Sequence, residues 1–315
     1  MEGVDRAVSM FAKLVGPLVP ILPAFDDRQR LDVASTCKWV DHLIAQGIKL
    51  FWTTHGTSHY MSLTDEEIVE LNRAVAKTTR GRALFIASTA FNWPTERCVE
   101  FTRSAADWGV DAVKLQIDWK WWTPSDDLVI ERYSRIADAS PIPLLAYTWG
   151  TPAIKPPLLR QILAIPKFIA MKNDTGDFYE QCDYLRVIRE AGAADRFTSI
   201  TGGTMASFLH AAQFGARTFA TGTAVYAPEA AITFYDHVKG GHLIDAAYQV
   251  KRYEEPVTVA FASMGHWACF HAALHLQGFF ASPTMRFPMR TLKPEEQKQV
   301  GTILESHGWL RGTNH

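Results

Sequence analysis

Short apolar runs alternate with amphipathic segments along most of the chain. The runs are four to six residues long and most of them are largely apolar, as expected for strands that are buried on both faces. Each one is predicted to be a β-strand. The eight predicted strands are Leu18–Leu22, Ile48–Thr53, Ala83–Ala87, Ala112–Ile117, Ile142–Tyr147, Phe168–Met171, Phe197–Thr201 and Arg217–Thr221.

The segments between these runs show the period of amphipathic helices. Thr64–Glu67 has the S/T-x-x-E pattern of a capping box, and Pro94 occupies a favoured first-turn position, so a helix is expected to begin at each. The other predicted helices are Asp32–Ala45, Asp126–Ala137 and Phe178–Glu190.

Strands separated by helical segments of roughly 10–15 residues indicate βαβ units with a parallel sheet. Eight such units predict an α/β fold, a closed (β/α)8 TIM barrel over residues 1–226. A doubly wound open sheet is the alternative, but no G-x-G-x-x-G follows an early strand. Residues 227–315 are expected to form a helical extension packed on the barrel. Its predicted helices are Pro228–Lys239, Leu243–Ala262, Gly265–Gln277 and Pro294–Ser306.

Composition narrows the class of protein. The 315 residues carry 32 Lys plus Arg and 33 Asp plus Glu, a net charge of −1, so no general attraction to nucleic acid is expected. The sequence contains no run of about 18 apolar residues, so no membrane span is predicted. The N-terminus lacks the basic-then-apolar order of a signal peptide. The four cysteines are far apart, which favours reduced thiols in a cytoplasm. The ten tryptophans favour subunit contacts, and we expect a homo-oligomer, a dimer or a dimer of dimers.

The candidate chemistry lies at the carboxyl ends of the strands, where active sites of such barrels are found. Lys172 closes the stretch Ile165–Met171, which is predicted to be a short buried strand, where desolvation disfavours an ammonium group. A neutral lysine amine can attack a carbonyl group and form a Schiff base. The alternative is a structural lysine that reaches solvent or pairs with Asp174 or Asp177. The local sequence leaves both interpretations open.

Two neighbouring strand ends offer partners for that lysine. Tyr147 ends the strand before Lys172, and its hydroxyl could relay the protons that Schiff-base chemistry moves, although a core aromatic is the alternative. After the second strand, Gly56 would let backbone amides approach an anion, and the hydroxyls of Thr57 and Ser58 could add hydrogen bonds. That loop suits a carboxylate; the alternative is a turn that satisfies its own backbone.

Histidines four residues apart occur at His55 and His59 and again at His271 and His275. The first pair is expected in a loop without cysteine or carboxylate partners nearby, and the second in a helix as core or interface residues. We therefore expect no metal site and no cofactor.

Together these motifs resemble the Schiff-base aldolase family of dihydrodipicolinate synthase and N-acetylneuraminate lyase, from about Gly16 to Trp309. The segment Ile169–Asp177 resembles the family's G-I-K-E-A-S/T-G-D, with Lys172 at the imine-forming lysine. Pro143–Tyr147 resembles P-x-x-L-Y-N, with Tyr147 at the proton-relay tyrosine. The resemblance implies a 2-oxo acid substrate such as pyruvate.

Departures from the family pattern affect the partners of the lysine. The family's G-T-T-G-E becomes His55–His59, so Gly56 replaces a threonine of the proton relay, while Thr57 keeps the second threonine. Trp121 stands where a neighbouring subunit's tyrosine would be supplied. The arginine that grips a second carboxylate in the synthase is missing from Thr148–Pro152, so we do not expect true dihydrodipicolinate synthase activity.

We therefore expect a lyase of the class I aldolase type that joins Lys172 to a 2-oxo acid and cleaves or forms a C–C bond to an aldehyde partner. Trp121 and its neighbours favour a bulky or apolar partner, a sugar-acid or an aromatic aldehyde. From their strand positions, Thr204 and Thr223 are candidates to reach substrate hydroxyls. Two alternatives stay open: a dehydratase of 2-keto-3-deoxy sugar acids that uses the same imine, and an oxo-acid-binding pseudoenzyme that regulates a partner.

Overall fold

Eight parallel strands close into a barrel in the computed structural model, which describes residues 2–117, 125–148, 154–174 and 177–310. The predicted (β/α)8 barrel is confirmed, and each predicted strand overlaps an observed one. A separate antiparallel pair, β2 with β3, precedes the second helix. The strands are β1 Gly16–Pro20, β2 Ala24–Phe25, β3 Leu31–Asp32, β4 Leu50–Trp52, β5 Leu84–Ser88, β6 Ala112–Lys114, β7 Leu144–Thr148, β8 Phe168–Asn173, β9 Thr198–Thr201 and β10 Thr218–Ala220.

The helices surround the barrel and continue beyond its last strand. The capping box at Thr64 is formed, with its hydroxyl accepting from the amide of Glu67 and the Glu67 carboxylate accepting from the amide of Thr64. The helices are α1 Glu2–Lys13, α2 Val33–Ala45, α3 Asp65–Thr79, α4 Thr95–Trp108, α5 Asp126–Ala139, α6 Pro156–Leu163, α7 Phe178–Glu190, α8 Met205–Ala211, α9 Thr223–Tyr226, α10 Pro228–Lys239, α11 Leu243–Gln249, α12 Glu255–Met264, α13 His266–Leu276 and α14 Pro294–Ser306.

Helices α6 and α8 are among those that were not predicted from the sequence. They are eight and seven residues long, which is too short for a clear helical period. The predicted helix Leu243–Ala262 is interrupted by a π-helical turn at Val250–Glu254. That turn directs Glu254 inward, where its carboxylate accepts hydrogen bonds from the amides of Met205 and Ala206 at the start of α8.

Register brings four large side chains close together inside the barrel. Tyr147 on β7 is paired with Lys172 on β8, and Lys114 on β6 is paired with Leu145, two residues before Tyr147. Because side chains alternate along a strand, Lys114 and Tyr147 point to the same side as Leu145, into the barrel. Trp52, at the end of β4, belongs to the same interior cluster as Leu145.

Helix α1 covers the amino end of the barrel. Its apolar face joins the interior cluster, and the guanidinium of Arg6 donates to the carbonyl of Val110, just before β6. This helix closes the bottom of the barrel. The carboxyl ends of the strands therefore carry the opening.

The helices after β10 pack on the barrel and share its outer core. Phe261 of α12 and Phe270 of α13 belong to the same buried cluster as Trp39 and Val40 of α2. Among the described residues, no single helix is long and apolar enough to cross a membrane. One pair of helices bent by 110°, Leu243–Met264 with His266–Leu276, meets both criteria when the two are taken together, by length and composition only.

Candidate active site

A cavity of about 470 Å³ opens at the carboxyl ends of the barrel strands. The last or next-to-last residues of five strands form its floor, and α13 forms one wall. The floor includes Pro20, Trp52, Tyr147, Lys172 and Ala220; the wall consists of His266, Trp267 and Phe270. The position is the one that barrel enzymes use for catalysis, and the volume suits a small organic substrate.

Lys172 lies in this floor with only 7% of its surface exposed. Its amine forms an ion pair with Asp174. The same amine lies 5.2 Å from the ring centroid of Tyr147 and 5.3 Å from that of Trp52. The pairing with Asp174 is the structural alternative that the sequence left open. Because the pair lines a cavity, it also places the amine where a substrate carbonyl can reach it.

One carboxylate connects Lys172 with Tyr147. The Oδ2 atom of Asp174 contacts the Lys172 amine and accepts a hydrogen bond of 3.2 Å from the Tyr147 hydroxyl. Burial would raise the pKa of Asp174, but the charges of Lys172 and Lys114 and the two hydrogen bonds outweigh it and hold that pKa below its usual value. Asp174 is therefore ionised, and it orients both groups.

Tyr147 is a proton donor in this arrangement. Burial, and then the negative charge of Asp174, raise the pKa of the Tyr147 hydroxyl far above its usual value of 10. The phenol therefore stays protonated at neutral pH and can give a proton only as it receives another, as a relay does.

Gly202 makes room for Asp174. The strand-end residue that follows β9 comes so close to the β8 end that an added Cβ would lie 2.6 Å from the carbonyl oxygen of Asn173 and would overlap the carboxylate of Asp174. Every residue other than glycine at this position would displace the carboxylate.

The loop after β4 contributes only part of the predicted carboxylate site. Gly56 and Thr57 line the cavity, together with Thr54 and His55. Ser58 does not line the cavity, because it is fully buried. Its hydroxyl donates to the carbonyl of Ile21 at 2.5 Å and accepts from the amide of Thr54 at 2.9 Å. We correct its role from substrate binding to loop stabilisation.

A close contact with Trp267 accounts for glycine at position 56. An added Cβ would lie 3.2 Å from Cζ2 of Trp267, closer than side chains normally approach. A threonine at this position would therefore require Trp267 to move.

The two threonines predicted from strand position lie outside the cavity lining. Thr204 caps α8, where its hydroxyl accepts from the amide of Ser207 at 3.1 Å. Thr223 is buried behind the cavity, next to Glu254 and Tyr226. Position at a strand end did not determine which way these side chains turn. Trp121, with Trp119, Trp122 and Trp149, lies outside the described residues.

Two charged residues of the site were missed or undervalued from the sequence. Asp174 was considered only as a salt-bridge partner, although it stands where the family motif has alanine. Lys114 was placed inside an apolar strand without comment, yet it is fully buried. A lysine between the apolar residues Val113 and Leu115 of a predicted strand is the signal that could have identified it.

Two histidines form a buried contact beside the loop. His59 and His271 approach to 3.1 Å between their Nε2 atoms. Burial lowers the pKa of His59 to about 4 and that of His271 well below its usual value, so both rings are neutral at pH 7. Within the described residues, no three His, Cys, Asp or Glu side chains are grouped as metal ligands.

Comparison with known proteins points to one family. The model of the dihydrodipicolinate synthetase family matches residues 13–307. A 4-hydroxy-tetrahydrodipicolinate synthase of Oenococcus oeni is 29% identical over 221 residues, 69% of this chain and 73% of its own. A probable 5-dehydro-4-deoxyglucarate dehydratase of Streptomyces coelicolor is 24% identical over 288 residues, 90% of this chain and 86% of its own.

A solved structure shows the same fold at lower identity. YagE of E. coli K12, a prophage protein of the dihydrodipicolinic acid synthase family crystallised with pyruvate, is 17% identical and superposes with a TM-score of 0.83. The match covers 94% of this chain and 99% of that one. The family resemblance noted from the motifs around Lys172 and Tyr147 is confirmed by the family model that matches residues 13–307.

Proposed function

The chain belongs to the dihydrodipicolinate synthetase family, and from that premise we propose that it is a lyase that forms an imine between Lys172 and pyruvate or another 2-oxo acid. The observation that carries the proposal is the linkage of Lys172, Asp174 and Tyr147 in the floor of the cavity. A nucleophilic amine, a charged hydrogen-bond acceptor and a phenol lie within one hydrogen-bonded group, as imine chemistry requires.

In the proposed reaction the substrate carboxylate lies against Gly56 and Thr57, and its carbonyl carbon faces the Lys172 amine. The unprotonated amine adds to that carbon, and the proton that the nitrogen loses passes to the new oxygen. The proton that the Lys172 ammonium gave up to become this amine passes through Asp174 to Tyr147 as Tyr147 protonates the resulting hydroxyl. Water leaves, Tyr147 is a phenol again, and an iminium ion remains. Its positive charge faces Asp174, and it acts as the electron sink for bond cleavage at the neighbouring carbon.

We propose that Asp174 takes the part of the missing relay threonine. Gly56 has no hydroxyl, and Trp267 occupies the space beside it. The Tyr147 hydroxyl donates to Asp174 instead. A carboxylate is a stronger acceptor than a threonine hydroxyl, so the relay is altered but complete.

Aldol cleavage or condensation is our first choice of reaction. The described wall of the cavity includes Phe91, Trp267 and Phe270, which supports an aromatic or otherwise apolar aldehyde partner. The second candidate is dehydration of a 2-keto-3-deoxy sugar acid, supported by the relative named as a 5-dehydro-4-deoxyglucarate dehydratase. Other relatives are named as 4-hydroxy-tetrahydrodipicolinate synthases, and the prediction against that activity rests on the missing arginine alone.

Borohydride reduction in the presence of pyruvate, followed by peptide mass mapping, tests the imine. We expect a reduced pyruvate adduct on Lys172 and none in Lys172→Met. Lys155, an exposed lysine near the start of α6, offers a matched control, since Lys155→Met should trap as the parent does. No adduct on Lys172, while a known class I aldolase is trapped in parallel, would refute the proposal.

Product analysis separates the candidate reactions. Incubation with a panel of 2-keto-3-deoxy sugar acids and of aromatic aldehydes plus pyruvate should give pyruvate release or a condensation product for the aldolase. A dehydratase would instead give a new 2-oxo acid without pyruvate. Trapping of Lys172 without turnover of any panel member would favour the oxo-acid-binding pseudoenzyme.

A further inference from the structure

Two glycines make very close contacts at the strand ends around the cavity. Gly202, after β9, abuts Asp174, and an added Cβ there would overlap the carboxylate. Gly222, after β10, lies against Phe270 of the cavity wall, and an added Cβ would lie 2.5 Å from Cζ of that ring. Glycine has no side chain with which to anchor its loop, and its backbone is the least restricted. Both loops therefore need support from elsewhere in the fold.

One buried carboxylate joins these two loops. Glu254 ends the π-helical turn between α11 and α12, and only 3% of its surface is exposed. Its Oε1 atom accepts from the amide of Met205 at 2.7 Å and from the hydroxyl of Thr221 at 3.0 Å. Its Oε2 atom accepts from the amide of Ala206 at 3.1 Å. The two amides follow the loop after β9, and Thr221 begins the loop after β10, so one side chain holds both.

The support given by Glu254 reaches Asp174 through a short segment. Only two residues separate Gly202 from α8, whose first two amides are bound by Glu254. The amide of Gly202 donates to the carbonyl of Asn173 at 3.0 Å, which fixes the other end of the segment against β8. A shift at the start of α8 would therefore move Gly202, and with it the space that is left for the Asp174 carboxylate.

A carboxylate at this buried position costs stability. Burial raises the pKa of Glu254 above its usual value, even though its hydrogen bonds lower that pKa. The π-helical turn that carries Glu254 is a rare element, and such turns are frequent at functional sites. Thr204 already caps α8 by accepting from the amide of Ser207, so capping of that helix does not require the bond between Glu254 and Thr221.

We propose that Glu254 is a positioning residue for the imine reaction, which holds the loops after β9 and β10 at the spacing that seats Asp174 between Lys172 and Tyr147. The inference rests on the proposed function, because the position of Asp174 affects catalysis only if Lys172 forms an imine. Glu254 does not belong to the described lining of the cavity, so it acts on the reaction through another group. That group is Asp174.

The test is a double-variant cycle of Glu254→Gln with Asp174→Asn, measured as the rate of borohydride trapping with pyruvate. Glutamine keeps the size of the side chain but replaces one of two accepting oxygens with an NH2 group, so one donor loses its acceptor. We expect Glu254→Gln alone to slow trapping at saturating pyruvate about tenfold and to leave the half-saturating pyruvate concentration within a factor of about two. In the Asp174→Asn background the same change should slow trapping by less than about twofold, because the positioned group is already lost.

Two further variants complete the comparison. Glu254→Asp keeps the charge but is one methylene shorter, and it provides the same cycle at a smaller amplitude if Glu254→Gln does not fold. Asp111→Ala is the control for stability. Asp111 lies just before β6, at the amino end of the barrel, and its carboxylate also accepts from a backbone amide, that of Phe85 at 2.9 Å. Its loss should lower the melting temperature and leave the rate of trapping within a factor of about two.

The outcomes separate this inference from the proposed function. If the parent traps pyruvate on Lys172 and Glu254→Gln slows trapping equally in both backgrounds, Glu254 acts independently of Asp174, and the inference fails while the imine stands. A parent-like rate in folded Glu254→Gln would overturn the inference as well. If the parent forms no adduct on Lys172, the proposed function fails first, and the inference fails with it.

Discussion

The Tyr147 hydroxyl lies 3.2 Å from Oδ2 of Asp174, the carboxylate oxygen that also contacts the Lys172 amine. One oxygen therefore connects the proposed nucleophile with the proposed proton relay. The family's relay continues from the tyrosine to a threonine, whereas this chain has glycine at that position and a carboxylate two residues after the lysine. The chemistry of the site is expected to depend on that carboxylate.

Asp174→Asn tests this dependence. The amide keeps the size of the side chain but removes the negative charge that faces the ammonium and the iminium ion. We expect the rate of imine formation with pyruvate to fall about 10²-fold, the usual effect of losing a general acid–base partner. Stopped borohydride trapping at several times measures the rate. Asp177→Asn, three residues further on at the cap of α7, should retain it within a factor of about two.

A parent-like trapping rate in Asp174→Asn would show that Tyr147 acts without the carboxylate. The single variant Tyr147→Phe then decides whether the phenol contributes to the rate of trapping. If the two groups form one relay, the double variant should be little slower than the slower single variant, since residues that act as a unit are not additive.

Gly202→Ala should displace Asp174 without touching the nucleophile. The added methyl would overlap the Asp174 carboxylate and lie 2.6 Å from the carbonyl of Asn173, so the end of β8 must move. We expect a slower imine reaction, by about tenfold or more, since misplacement by about 1 Å can cost 10²-fold. Gly301→Ala, in α14 with its nearest neighbour at 3.7 Å, is a control that should leave the rate unchanged. Equal rates in both variants would mean that Asp174 tolerates displacement.

Some of this arrangement could be predicted from the sequence, and the reason is geometric. Neighbouring parallel strands end at the same edge of a barrel, so a tyrosine and a lysine at successive strand ends had to be close. The register confirms it, since Tyr147 is paired with Lys172. The family motif strengthened that prediction. Placing these two residues at neighbouring strand ends required no knowledge of the direction of their side chains.

The predictions that failed depended on the direction of side chains and on packing between residues that are far apart in the sequence. Ser58 and Thr223 lie in the predicted segments, but their hydroxyls turn to internal partners. Lys114 escaped notice because Gln116 also interrupts the apolar pattern of the same predicted strand, so the lysine was not singled out. Asp174 depends on Gly202, which lies in another strand-end loop. Such long-range fits leave no local pattern.

The correction at Ser58 gives a paired prediction with Thr57. Ser58→Ala removes two buried hydrogen bonds, to Ile21 and Thr54, and should lower the free energy of unfolding by about 1–3 kcal/mol with little change in KM. Thr57→Ala removes a cavity-lining hydroxyl and should raise KM for the 2-oxo acid about tenfold with little loss of stability. Urea unfolding and steady-state kinetics measure the two effects. The reverse pattern would return Ser58 to the substrate site.

The buried contact between His59 and His271 predicts a loss of stability in mild acid. Burial lowers the pKa of His59 from its usual 6.5 to about 4 and lowers that of His271 as well. Between those pH values the unfolded chain binds protons that the folded chain does not. The free energy of unfolding should therefore be largest above pH 6.5 and fall as the pH drops toward 4, by up to about 1.4 kcal/mol per pH unit for each ring.

Urea unfolding at pH 7, 6 and 5 measures that slope, and His271→Phe isolates the contribution of the pair. Phe25 already stacks on this ring, with centroids 6.0 Å apart, so phenylalanine suits the space. The variant should lose less stability between pH 7 and pH 5 than the parent, because one of the two protonations is gone. His242→Gln changes an exposed histidine and should keep the parent's slope. If all three proteins show the same slope, the folded chain accommodates a charged ring at this contact, and the loop beside Gly56 is not sensitive to acid through it.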